Sequence, residues 1–470
     1  FQGSVVEGDG HYLLQGVLLG EIDDTDRFQP RGEPLRHDFG LVEEDGQWRI
    51  SNPPDGVLLS RYLFTRNYRQ VTIYFSALQG DVGVPELLAI PETEVSPGRI
   101  VEAVLSGPSE RMKSVVRNAF PSGAKLGEGG ASVDEDGVAA VDLTGLAPSM
   151  PPEQRRRLGA QLLWSLTSVP RVTGLKITVD GTQFTLPGQS ADGVLELATQ
   201  QGYSVLSRTL SQDLFAVQGG MPGMLNDHGR FVPLEQELPP SAEMSISIEG
   251  TNVALIGAER QTLFIGPRDG TLTPIKPELT NIHDGQWALG YFYALGEDAQ
   301  GMTRMFRVSA KHEVEVMDVR LPASMALRGF SVHQTGAMAA VLGERNGSTH
   351  LGQMVASQPG VLDRWQELPP TGASGQSITR IDDVQWNSES TVVLAGDVDE
   401  SWGVMVVSSD GAFVEEIGSF REPIQSVAAL PRQGGGLIAL RGSGGAVWRY
   451  TAPNRWTPVD VKVADLAFAG

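Results

Sequence analysis

The stretch Ile246-Ser247-Ile248-Glu249-Gly250-Thr251-Asn252-Val253-Ala254-Leu255-Ile256 decides how the larger part of this chain folds. Aliphatic and β-branched residues flank a Glu-Gly reversal, which reads as two short strands joined by a tight turn. The same pattern returns at 210–217 (turn near Gln212), 282–292 (Gly285), 330–342 (Gly336), 384–394 (Ser388) and 427–440 (Gly434), roughly 44 residues apart on average. Second hairpins follow around Asp269-Gly270 and Asp410-Gly411, giving four strands per unit. Strand-only repeats of this length predict a propeller of about six blades over 191–470. A large β-sandwich, or two, is the alternative that turn signals alone leave open.

Upstream, the periodicity changes. Val71-Thr72-Ile73-Tyr74-Phe75 is a β-branched and aromatic strand, and Ser96-Pro97 caps a helix with Ile100, Val101, Val104 and Leu105 on one face. Ser109 is placed to cap a second helix with Met112, Val115, Val116 and Ala119. A third follows Pro151-Pro152, with a Leu158, Leu162, Leu163, Leu166 stripe that stops before Pro170. Strands at 138–143 and a hairpin around Asp180-Gly181 complete an α+β unit over 71–190. The short Gly188–Gly193 seam predicts little hinge freedom. Residues 5–70 read as strands, including a hairpin at Asp45-Gly46, without a covering helix. Phe1-Gln2-Gly3-Ser4 reads as a cleavage remnant outside the fold.

Composition narrows the function. The 470 residues suit two to four domains, and 36 Lys plus Arg against 57 Asp plus Glu give a net charge of -21, unfavourable for nucleic acid. Cysteine is absent, which removes thiolate chemistry and Cys-based metal centres. The seven His (11, 37, 228, 283, 312, 333, 350) have no His-x-x-x-His spacing. No apolar run is long enough to span a membrane.

The residue groupings that invite chemistry fall short of it. The acidic clusters Asp23, Asp24, Asp26 and Asp134, Glu135, Asp136 lack calcium-loop spacing and read as solvated turns. Ser331 with His333, and Ser348 with His350, lack a nucleophile elbow. Asp382 with Asp383, and Asp397 with Asp399 and Glu400, are pairs expected by chance in so acidic a chain. Gly434-Gly435-Gly436 precedes a strand rather than a helix, so it is no phosphate loop. Trp287, Trp365, Trp386, Trp402, Trp448 and Trp456 read as packing within the repeats. The expectation is no catalytic, cofactor or metal residue, with the partner-binding residues unassigned.

Val71–Phe75, Val104-Leu105-Ser106-Gly107-Pro108, Ala119-Phe120-Pro121-Ser122-Gly123, Val138-Ala139-Ala140-Val141-Asp142-Leu143 and the strand-turn at 175–181 together resemble the GerMN domain. With Glu44-Asp45-Gly46-Gln47-Trp48-Arg49-Ile50 before it and Ile381-Asp382-Asp383-Val384-Gln385-Trp386 after it, the whole resembles the LpqB-type actinobacterial lipoproteins. The resemblance implies a partial, nuclear-transport-factor-like α+β N-terminal domain over 5–70, then a GerMN-like domain and the propeller. It implies no enzyme activity, anchorage outside the cell membrane by an N-terminal lipidated Cys absent from this sequence, and a partner in the extracytoplasmic region of an MtrB-type sensor kinase of the MtrAB two-component system. A monomer is expected. A propeller mouth that binds cell-wall glycan or peptide is the alternative, with a propeller glycosidase a third reading.

Overall fold

The computed structural model describes residues 1–8, 11–78, 80–203, 212–226, 228–372, 375, 378–398, 401–433, 435–452 and 455–470. The chain is predominantly β-structure, and it opens with an antiparallel sheet of β1 (Gln2–Gly8), β2 (His11–Ile22), β3 (Phe28–Glu44) and β4 (Gln47–Ile50). Asp45 and Gly46 both have positive φ, as the two-residue hairpin requires. Gln2, Gly3 and Ser4, expected to lie outside the fold, are instead in register with Val17, Gly16 and Gln15.

Helix α1 (Arg61–Asn67) leads into the middle domain, where β5 (Tyr68–Ala77) and β6 (Gly83–Pro91) form a sheet with β7 (Val116–Arg117). Helix α2 (Pro97–Ser106) starts at Ser96, whose side chain accepts the Arg99 N–H, and buries Ile100, Val101 and Val104. The helix expected from Ser109 does not form. One 3-10 turn, Met112–Ser114, is followed by Val116 and Arg117 pairing with Ala77 and Ser76. Ala119 N–H is taken by the Gln161 side chain at 2.8 Å. Strand pairing and a buried amide outcompete a weak, β-branched helical pattern here.

A second sheet holds β8 (Lys125–Val133), β9 (Val138–Thr144), β10 (Gly174–Val179) and β11 (Thr182–Phe184). Its parallel β9–β10 pair is bridged by α3 (Pro152–Leu166), which buries all four leucines of its stripe. The middle domain continues past the seam expected at Gly188–Gly193. Leu195 and Glu196 pair with β10, and Tyr203 packs with Tyr74 and Trp164.

From Leu214 onward the described residues form six successive sheets. Sheet I contains Phe231–Pro233, Met221–Leu225, Leu214–Gln218 and, on its inner edge, Asp465–Ala467 from the end of the chain. The inner strands of sheets II to VI are Ser241–Ile246, Thr280–Ala288, Ala326–Val332, Arg380–Trp386 and Ile424–Leu430. Each inner strand touches the next, and Ile424–Leu430 touches Asp465–Ala467. A buried apolar layer lies between each adjacent pair of sheets, VI against I included, where Leu430, Ala439 and Val447 meet Leu214, Leu466 and Phe468. The sandwich alternative has no counterpart in this cyclic, propeller-like order.

Turn positions differ in two repeats. Gly285 lies inside a strand, against the Phe292 ring, and the reversal falls at Leu289-Gly290, both at positive φ. In the first repeat the reversal is Gly219-Gly220 rather than Gln212. Leu210 and Gly434 lie outside the described residues.

Candidate functional site

Most of the suspected chemical groupings are engaged in structural hydrogen bonds. Asp23 Oδ1 accepts the Thr25 and Arg27 N–H groups, which closes a turn, and Asp26 pairs with Arg99 at 2.7 Å. Asp134 Oδ1 likewise accepts N–H groups from Asp136 and Val138. Ser331 Oγ accepts the Trp386 N–H at 3.2 Å, whereas His333 Nδ1 meets Thr335 Oγ1 at 2.7 Å and its Nε2 faces the Glu389 carbonyl. Neither is directed at the other. His333 stands edge-on to Trp386, and burial pulls its pKa down to about 4. His350 is hydrogen-bonded to Glu367. Asp382 accepts from Trp402 Nε1 at 2.8 Å, while its neighbour Asp383 accepts the Val427 N–H of the next sheet at 2.7 Å. Asp399, Glu400 and Gly434 lie outside the described residues.

Several tryptophans tie sheets together. Trp287 Nε1 donates to the Ser245 carbonyl and Trp386 Nε1 to the Ser331 carbonyl, each reaching back to the preceding inner strand. Forward contacts complement these: Asp465 accepts from Met244 N–H, Gln286 from Val332 N–H, and Asp383 from Val427 N–H. Inner-strand amides are thereby satisfied by side chains across three of the six gaps, I to II, III to IV and V to VI.

These forward contacts bring together a group of residues that no sequence motif announces. The inner strands of sheets II to VI all carry register shifts, at Ser241/Glu243, His283/Gln286, Leu327/Gly329, Ile381/Asp383 and Ile424/Ser426. Bulges re-aim side chains, and Glu243, Asp284, Asp383 and Asp465 interact electrostatically across the ring. Arg260 pairs with Glu243 at 2.6 Å, and His283 with Asp284 at 3.2 Å. Burial, then Asp465 and Asp284, push Glu243 up to about 7. Burial and the Asp284 charge hold Asp383 well above the usual carboxylate range, and burial raises Asp465. The arrangement can hold a proton or face a cationic group. Among the described residues, no cluster of three His, Asp or Glu has the geometry to hold a metal ion. Only the recurrence of an acid at three of the inner-strand bulges, Glu243, Asp284 and Asp383, could have signalled the group in advance.

The middle domain is clasped to the ring. The Arg111 guanidinium donates to Gln366 Oε1 and the Gln353 carbonyl, and Arg364 Nη1 donates to the carbonyls of Glu110 and Arg111 at 2.9 Å. Phe64 of α1 stacks on Phe413 of sheet V, with ring centres 5.0 Å apart.

Fold and site define a Germane-domain protein that carries a propeller-like ring. The family model described as "Germane: Sporulation and spore germination" matches residues 72–185, and "Lipoprotein LpqB, N-terminal domain" matches residues 2–65. A Lipoprotein LpqB of Cutibacterium acnes is 25% identical over 95% of this chain and 79% of its own length. That of Thermobifida fusca is 31% identical over 52% of this chain and 40% of its own. The chain is thus similar to the LpqB lipoproteins along nearly its whole length. Among solved structures, a nidogen/laminin complex chain aligns with 54% of this chain and 97% of its own at 9% identity and a TM-score of 0.40. A virginiamycin B lyase from Staphylococcus aureus aligns with 53% and 82% at 14% identity and a TM-score of 0.36.

Proposed function

We propose that this protein is a non-enzymatic extracytoplasmic lipoprotein that binds the sensor region of an MtrB-type histidine kinase and biases its signalling. The supporting observation is similarity to an LpqB lipoprotein along 95% of the chain, joined to the engagement of Ser331, His333, Asp382 and Asp383 in structural hydrogen bonds. In this reading the six sheets are the blades of a propeller closed by Asp465–Ala467, and the N-terminal sheet belongs to a nuclear-transport-factor-like domain. A lipidated cysteine preceding this sequence would hold the unit at the outer membrane face. A clasped middle domain and ring offer a preformed surface, which limits the ordering cost of association. Better binding to one kinase conformation than the other shifts the signalling equilibrium, and about 1–3 kcal/mol of coupling changes output several-fold or more.

The direct functional test adds this chain to the kinase reconstituted in lipid nanodiscs and follows autophosphorylation. A saturable change in rate supports the reading, and an unchanged rate at full occupancy contradicts it. The axial group of Glu243, Asp383 and Asp465 favours a second reading, capture of a cell-wall peptide through a cationic group at the propeller mouth. Titration with soluble muropeptides, compared with Asp383→Asn, tests that alternative.

A further inference from the structure

A cavity of about 620 Å³ opens where the N-terminal sheet, α1 and the hairpin end of sheet V converge. Its size falls inside the roughly 300–1,000 Å³ span of small-molecule pockets. Leu18, Phe28 and Leu35 of the N-terminal sheet line it together with Leu58, Phe64 and Val414. The wall is therefore mainly hydrocarbon, contributed by two parts of the molecule.

Besides Arg31, two cations border this space: the Phe1 α-ammonium, which donates to the Leu59 carbonyl at 2.8 Å, and Arg61. Arg61 is 9% exposed, lines the cavity and donates through Nη1 to the Gly372 carbonyl at 3.0 Å. No carboxylate among the described residues pairs with it, and burial lowers its pKa from the ordinary guanidinium value. The other charges on the lining are committed or solvated. Arg31 is paired with Glu21 at 2.9 Å, both oxygens of Asp23 accept hydrogen bonds from neighbours, and Asp55 is exposed. A buried guanidinium is costly unless an anion meets it, and its fork suits a carboxylate.

We propose that this cavity binds a single-chain anionic amphiphile of the fatty-acid class, with its carboxylate at Arg61 and its hydrocarbon chain among Leu18, Leu35, Leu58 and Phe64. The apolar wall supplies affinity, and Arg61 selects the charged head. Because the walls come from both the N-terminal sheet and sheet V, an occupant also joins those two parts.

The test titrates the 470-residue chain with dansylated undecanoic acid and displaces the probe with palmitate, hexadecanol or phosphatidylglycerol vesicles. Palmitate is expected to compete about tenfold more tightly than hexadecanol, with vesicles ineffective at matched lipid concentration. Arg61→Gln should remove the preference for the acid. Since Arg61 also holds Gly372, Leu58→Trp provides an independent check: by filling the cavity it should weaken both ligands while leaving the melting temperature unchanged. Equal competition by hexadecanol and palmitate, no binding of the probe, or displacement by vesicles alone would each overturn the proposal.

Discussion

His333 and Glu243 are both removed from water, and they give the stability curve opposite slopes. His333 titrates near 4 when folded and near 6.5 when unfolded, so the unfolded chain binds more protons between those values. Its contribution is complete above pH 6.5 and disappears as pH falls through 4, a loss of about 3 kcal/mol. His333→Gln should flatten that acid limb in urea melts at pH 4 to 7, while costing about 1–3 kcal/mol at neutrality through disturbed buried hydrogen bonds. Glu243 is the reverse case. Its folded pKa of about 7 lies above the ordinary 4.5, so the folded state holds the extra proton and stability declines as pH rises between them. Glu243→Gln retains an acceptor for Arg260 and should remove the part of that decline that Glu243 contributes. An unaltered pH dependence would show that the carboxylate is well solvated.

At the scale of elements, legibility follows the range of the interactions that decide each one. The Asp45-Gly46 and Asp180-Gly181 hairpins, α2 with its Ser96 cap and the leucine stripe of α3 rest on local chemistry and could be read directly. Segment 109–119 could not, because Gln161 and the edge of β5, both remote in sequence, determine it. The Leu289-Gly290 reversal was hidden by a bulky residue in a left-handed conformation, which offers no turn signal. The axial group was obscure for a related reason: Glu243, Asp284, Asp383 and Asp465 converge only after bulges and ring closure bring four distant strands together. The Trp386 staple is equally non-local. Trp386→Phe preserves most of the ring packing but leaves the Ser331 carbonyl without its 2.9 Å donor. A loss of about 1–3 kcal/mol is expected in equilibrium urea unfolding; wild-type stability would mean the staple is dispensable.

For the whole molecule, closure is the structural claim with the largest consequence. The final strand, Asp465–Ala467, pairs with Leu214–Gln218, and Leu466, Phe468 and Ala469 are buried in the layers beside sheet I. A chain truncated after Val463 should lose roughly 5 kcal/mol from apolar burial alone. It should expose sheet I and the axial carboxylates to hydrogen exchange, while α3 and its neighbouring strands stay protected. Uniform protection would contradict a ring closed by this strand. The repeat spacing made such a ring legible. The clasp of Arg111 and Arg364, which joins the ring to the middle domain, left no sequence pattern because two isolated side chains form it, one on a turn and one within the strand Val361–Glu367.

The most direct test of the functional account is calorimetric titration of this 470-residue chain into the purified extracytoplasmic domain of an MtrB-type kinase. Saturable binding near one to one, with a dissociation constant of about 1–10 μM and little change for Asp383→Asn at the axial group, is the expected result. No binding by calorimetry or by a second method at tenfold higher concentration would contradict kinase recognition by this part of the protein.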